Sequence, residues 1–194
     1  MVAIVILWVA FFFTHSLLAA NSMKERAENF LGKRYIYYRL GYNIFSLVFL
    51  LLILYILLFR QEMNFVFHSS SVSSISGIML MIVGVIITIL AFRNYDLAEF
   101  SGIKQLAQKI HHPEKLMIKG LNAHVRNPLY FGIIIFIFGY FIHQPTWMNL
   151  VSLIIIYAYL YIGTALEEKN LETVFGEEYR QYKKRVKMLI PFLF

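Results

Sequence analysis

The sequence predicts an all-α integral membrane protein: five transmembrane helices in a single domain, 1–194, with the N-terminus outside, the C-terminus cytoplasmic and a further helix in the cytoplasmic tail. Three observations predict it. The chain is 59% hydrophobic with a mean hydropathy of +0.64, above the apolar share of ordinary soluble domains, and the apolar residues are bunched into long runs. A helix rising about 1.5 Å per residue needs roughly 20 mostly apolar residues to cross a hydrocarbon core about 30 Å thick, and the runs at 1–20, 41–59, 75–92, 128–143 and 147–166 approach or meet that length. Of the 18 lysines and arginines, all but Arg60 fall in three segments that alternate with uncharged or nearly uncharged loops.

Taken in order, the run 1–20 lacks a positive start and a good small-residue cleavage site, so it reads as a retained helix rather than a signal peptide. The following loop, 21–40, carries Lys24, Arg26, Lys33, Arg34 and Arg39, whereas 60–74 has only Arg60 and a serine-rich run. The third loop, 93–127, carries Arg93, Lys104, Lys109, Lys115, Lys119 and Arg126. It is too long to be structureless in a compact protein, and 103–110 is the expected place for a short helix. The connection 144–146 is uncharged. Beyond 166 the fifth helix is expected to continue to Phe175, break at Gly176, and resume as a basic amphipathic helix over 177–187 that Pro191 ends. Lys169, Arg180, Lys183, Lys184, Arg185 and Lys187 put this tail on the side of the other basic segments, which the positive-inside rule makes cytoplasmic.

The chain has no cysteine, which removes disulfides, thiolate nucleophiles and Cys-ligated metal centres. Its net charge of +7 does not argue for nucleic acid, because the basic residues lie close to membrane helices and are mixed with acids; anionic headgroups account for them. No P-loop, GxGxxG, HExxH or GxSxG motif is present. His111, His112 and His124 are too loosely spaced to argue for a metal, and none is expected.

Groups able to carry chemistry gather near the basic segments. At 126–132, RNPLYFG, Asn127 is a strong N-cap residue and Pro128 suits the first helical position, so the fourth span starts sharply. The positive helix end, with Arg126 beside it, could hold a carboxylate or phosphate; the plainer reading is a simple cap and a headgroup contact. Sixteen residues make this span about 24 Å long, so one end is expected below headgroup level. Glu167 and Glu168 end the fifth span about 100° apart on the helix; one carboxylate can face the bundle while the other meets a tail cation. Glu168 shares a stripe with Tyr157, Tyr161 and Thr164. Thr14, His15 and Ser16 in the first span, and Arg39, Tyr42 and Asn43 beside the second, are polar groups at the same level. His15 could equally hydrogen-bond a neighbouring helix, and Gly132 and Gly139, seven apart, suit close helix packing better than ligand contact.

Together, RNPLYFG at 126–132, EEKNLETVFGEEYRQY at 167–182 and RVKMLIP at 185–191 resemble the integral membrane methyltransferases, a superfamily of isoprenylcysteine carboxyl methyltransferases, phospholipid N-methyltransferases and NnrU-like proteins. FTHSLLA at 13–19, YRLGYNIFS at 38–46 and NYDLAEFSGIKQL at 94–106 look most like the methanethiol S-methyltransferase and NnrU branch. The resemblance implies S-adenosylmethionine bound by His124, Arg126, Asn127, Pro128, Tyr130 and Gly132 on one side and Glu167 and Glu168 on the other, with Tyr161 and Tyr179 as walls. Many relatives have His where this chain has Asn127, which removes that imidazole from any cofactor contact here.

On this reading Arg126 with the helix end would take the cofactor's carboxylate, and Glu167 or Glu168 its ribose or amino group. His15, Arg39 and Glu168 are the catalytic candidates, the first two for stabilising a thiolate. The implied partners are the lipid bilayer and a small or lipid-like methyl acceptor, and the implied location is a prokaryotic inner membrane with the site facing the cytoplasm. A prenylcysteine carboxylate or a phospholipid amine is the alternative acceptor. An NnrU-like non-catalytic protein and an NADPH-dependent membrane reductase are the alternative functions.

Overall fold

The computed structural model describes residues 1–59, 64–93 and 116–191. The short helix expected at 103–110 lies outside them. Six α-helices occur among the described residues: α1 Val2–Ala19, α2 Asn21–Leu31, α3 Tyr38–Phe59, α4 Ser71–Phe92, α5 Pro128–His143 and α6 Trp147–Arg185. There is no β-strand among them; two isolated pairings, Phe65 with Thr146 and Val125 with Lys187, are the extended contacts. Stretches containing α1, α3, α4 and α6 are long and apolar enough to cross a membrane, and α5 is apolar but shorter.

The helices form two compact units. In the first, α1 packs on α3. The buried α1 residues Ile4, Trp8 and Phe11 recur at spacings of four and three, and those of α3, Ser46, Ile53 and Leu57, at seven and four. These spacings keep one stripe of each helix facing inward. Phe11 meets Phe49 edge-on with ring centroids 5.7 Å apart, and the Tyr38 hydroxyl donates to Leu18 O at 2.9 Å.

The stretch 21–40, expected as a loop, is instead almost wholly helical. Only Ala20, with extended backbone, separates α1 from α2; a 3-10 segment, Gly32–Tyr37, then leads directly into α3, which begins at Tyr38 rather than at 41. Met23, Ala27 and Leu31 at four-residue spacing give this polar stretch an inner face, a helical pattern hidden by its many charges. Gly32 closes α2 at φ +52°, where a glycine meets no steric penalty.

In the second unit, α4 starts at Ser71, four residues before the expected boundary. Ser70 accepts from Ser73 N while the Ser73 hydroxyl accepts from Ser70 N, a capping box that turns a serine-rich loop into a helix start. α4 and α5 are antiparallel and packed through glycines. A Cβ on Gly77 would lie 2.6 Å from Gly139 O, and one on Gly84 2.7 Å from Gly132 O. Both glycine pairs are seven residues apart, so two matched notches let the backbones approach. Where lipid tails are as apolar as the side chains, this van der Waals fit supplies association that hydrophobic burial cannot.

The α5–α6 turn is set by Thr146, whose hydroxyl accepts from Asn149 N at 3.2 Å, and is tied to the segment before α4 by Val66 N to Pro145 O, 2.7 Å. α6 continues past the expected span to Arg185, and its one non-helical residue is Gly176, φ +56°. Residues 147–175 extend about 43 Å at the usual rise, against a core of about 30 Å, so a spanning α6 projects beyond the lipid. At Gly176 the chain doubles back. Lys183 Nζ lies 2.5 Å from Glu172 Oε1 and 3.6 Å from Glu168 Oε2, whereas in a continuous helix residues 168 and 183 would stand about 22 Å apart. The resumed helix ends at Arg185, two residues before the expected limit.

Candidate functional site

Fold and chemistry meet where the segment before α5 passes between α6 and its returning tail. Gly120, at φ +64°, opens a 3-10 turn, Gly120–Ala123, that leads the chain to Val125. From there residues 125–127 run alongside the tail. Arg126 N donates to Lys187 O at 2.8 Å and Asn127 N to Met188 O at 3.2 Å, a short parallel pairing. Asn127 occupies the N-cap position, but its side chain does not cap the helix as expected: Nδ2 donates to Met188 O at 3.2 Å. The tail has taken the side chain that the sequence assigned to the helix start.

Arg126 and Glu168 grip each other. Nε lies 2.6 Å from Oε1 and Nη2 2.9 Å from Oε2, a two-pronged pair with side chains only 8% and 6% exposed. The remaining nitrogen, Nη1, donates to the carbonyls of Lys183, at 3.3 Å, and Val186. One guanidinium therefore ties three pieces of chain: the start of α5, the foot of α6 and the end of the tail. Arginine suits this role because its planar fork fits a carboxylate with two parallel bonds and leaves donors for carbonyls on the far side. Arg126 and one of Glu167 and Glu168 were expected to face a shared ligand; in the structure Arg126 and Glu168 are in direct contact.

Tyr179, 2% exposed, packs beside this pair, with its ring edge-on to Tyr182 at 5.9 Å. Burial, and then the Glu168 carboxylate, push the Tyr179 hydroxyl well above the ordinary tyrosine range. The Tyr182 hydroxyl donates to Asn122 O at 2.6 Å, and Asn122 Nδ2 to Arg126 O at 3.1 Å, which braces the loop against the tail. On the outer side, hydrogen bonding to Lys183 holds Glu172 below the usual carboxylate range.

Of the residues singled out in the sequence, Arg126, Asn127, Pro128, Glu168 and Tyr179 come together here. His124 and Glu167 are exposed, and Tyr130 is half-buried on the first turn of α5. Gly132 faces Thr88 and Gly84 across the α4–α5 contact, so packing accounts for its lack of a side chain. Tyr161 is 45% exposed and stacks on Tyr157, and at seven residues from Glu168 it stands about 10 Å up the helix. His15 and Arg39 belong to the first unit. There, His15 Nδ1 lies 3.0 Å from Ser46 Oγ and its ring stacks on Phe11. Asn122, Tyr182 and Lys183 complete the junction without having been picked out individually. The break expected at Gly176 pointed to a tail cation for a carboxylate of α6, but not to the reversal that brings Tyr182 and Lys183 onto this junction. Among the described residues no cluster of His, Asp and Glu could hold a metal.

The chain is similar to known methyltransferases. Over 80 residues the chain is 39% identical to methanethiol S-methyltransferase 1 of Bradyrhizobium diazoefficiens, covering 41% of this chain and 27% of that protein. It is 42% identical over 69 residues to the methanethiol S-methyltransferase of Pseudomonas deceptionensis, covering 36% and 26%. It is 30% identical over 113 residues to that of Crocosphaera subtropica, covering 56% and 42%. The matched stretch is thus less than half the length of each of these relatives. No solved structure matches the chain. The family model for phospholipid methyltransferases matches residues 72–178, which takes in the glycine-packed helices, the Arg126–Glu168 junction and the turn at Gly176. That match spans more than half of the sequence, and the chain belongs to the phospholipid methyltransferase family.

Proposed function

We propose that this chain is an integral membrane methyltransferase that takes its methyl group from S-adenosylmethionine and passes it to a small thiol of the methanethiol type. The observation that carries the proposal is the Arg126–Glu168 pair, which joins the start of α5 to the foot of α6 inside the family-matched region. The names of the relatives supply the thiol. We further propose five spans, an outer N-terminus and a site facing the cytoplasm of a prokaryotic inner membrane. The confinement of nearly all basic residues to three segments supports that orientation.

The residues present fit such a cofactor. It carries a sulfonium, an adenine-bearing ribose and an amino acid carboxylate; next in sequence to the junction stand Glu167, exposed, and Tyr130, half-buried on the first turn of α5, and the Asn127 side chain does not cap that helix start. S-adenosylmethionine, when bound, supplies a methyl group already activated by the positive charge on its sulfur. The chain's own work is to position donor and acceptor, exclude water and manage charge. In this proposal the α5 start with His124 and Tyr130 receives the cofactor's carboxylate end, and Glu167 receives its polar groups. Arg126, Glu168 and Tyr179 hold the two helix ends at fixed separation.

The test is transfer of labelled methyl from S-adenosylmethionine by the purified chain in nanodiscs, offered methanethiol, a prenylcysteine and phosphatidylethanolamine in parallel. The expected product is the methylated thiol. Labelling of the lipid amine or the prenylcysteine instead would move the acceptor and keep the donor. Thermal protection by S-adenosylmethionine with no transfer to any acceptor would indicate an accessory protein, and protection by NADPH alone a reductase.

A further inference from the structure

The connector between α1 and α3 is used by none of this chemistry. It is nonetheless built rather than loose, because α2 and the 3-10 segment fill almost all of it. The helices on either side are of spanning length, so both its ends are held at one boundary of the membrane. An 11-residue helix is about 16 Å long, too short to carry the chain far into water. While α2 buries Ala27, Phe30 stands 89% exposed and Tyr37 57%. Lys33 and Arg34, between these two rings, are exposed as well. Across the connector four basic residues, Lys24, Arg26, Lys33 and Arg34, stand against two acidic ones, Glu25 and Glu28. Rings that can enter the interface, flanked by cations and tethered at membrane level, have the composition of an interfacial anchor.

We propose that Phe30, Lys33, Arg34 and Tyr37 form a docking surface for anionic phospholipid headgroups, with the two rings seated at the acyl boundary and the two cations between phosphates. Charge complementarity selects this occupant: each lysine or arginine near the surface strengthens attachment to an anionic membrane by about fivefold. The proposal is independent of the transferred group and of which leaflet the connector faces.

The chain has no cysteine, so a fluorophore placed on Phe30→Cys reports on that position alone. The full chain would be placed in nanodiscs of phosphatidylcholine, with or without phosphatidylglycerol, and quenched with acrylamide, which is uncharged. The expected result is several-fold weaker quenching with phosphatidylglycerol, and loss of that difference in the background of Lys33→Gln with Arg34→Gln. Equal quenching in both discs overturns the proposal, whether the probe is wet in both or shielded in both; the latter means apolar insertion without headgroup selection. Shielding that varies with the protein-to-lipid ratio also overturns it, in favour of a second copy of the chain. Phe30 is almost fully exposed, so its replacement leaves packing intact.

Discussion

Removing either partner of the Arg126–Glu168 pair is expected to destabilise the second unit by more than the two hydrogen bonds are worth. The pair is nearly dry, with side chains 8% and 6% exposed, and a buried charge left without its partner costs about 3–5 kcal/mol. Arg126→Met would leave Glu168 with Lys183 Nζ, 3.6 Å away, as its remaining cation and the Tyr179 hydroxyl as a neutral partner, and would strip the carbonyls of Lys183 and Val186 of their donor. Glu168→Leu would leave the guanidinium with two carbonyls and no carboxylate in contact. The double variant buries no lone charge of the pair, and Lys183 keeps Glu172 at 2.5 Å. The two losses should therefore not add. The double variant should recover about 2–3 kcal/mol relative to their sum, the upper end of couplings for residues in contact. Arg126→Lys should recover only a small part of the stability lost in Arg126→Met, since an ammonium cannot make the two-pronged contact and reach both carbonyls. The measurement is reversible unfolding in mixed micelles of rising dodecyl sulfate content, followed by circular dichroism. Single losses below about 1 kcal/mol that add in the double variant would mean that the junction is solvated and that the pair ties nothing together.

Gly84→Ala should cost about 1–3 kcal/mol, because the new methyl would meet the backbone of α5 at 2.6 Å from Phe136 N and 2.7 Å from Gly132 O, and the helices would have to part. Gly163→Ala, where nothing lies within 4 Å of the added carbon, should be neutral or stabilising in the same unfolding assay. Gly176→Ala has equally open space around it, so its expected loss of about 1–3 kcal/mol comes from backbone strain at φ +56° alone. Faster limited proteolysis of the tail would report it. Tyr179 gives a pH signature: its hydroxyl binds its proton more tightly folded than unfolded, so above the ordinary tyrosine value of about 10 the folded state holds one more proton. Stability should then fall by about 1.4 kcal/mol per pH unit from this group until the folded hydroxyl itself ionises, and Tyr179→Phe should be less steep by that amount.

How much of this was legible in the sequence divides along physical lines. Interactions between residues near in the chain leave periodic or compositional marks. Apolar run length set the spanning helices to within a few residues, and Asn-Pro marked the start of α5 at Pro128. A glycine between a helical stretch and a basic amphipathic one marked the break at Gly176. The seven-residue spacing of Gly132 and Gly139 announced close packing, although not that Gly77 and Gly84 on α4 were the partners. The charges that made 21–40 look like a loop concealed α2, whose inner face rests on only a few side chains.

The sequence by itself determined the kind of protein this is, because a hydrocarbon solvent imposes length and composition on every segment that crosses it. It also determined which residue types gather near the basic segments. Only the tertiary structure decided that Arg126 and Glu168 engage each other, that Asn127 serves the tail rather than the helix, and that Lys183 returns to Glu168. Each of those contacts joins residues at least 15 positions apart, and the two that reach the tail, Asn127 to Met188 and Lys183 to Glu168, depend on the direction the chain takes at Gly176, which side-chain periodicity does not encode.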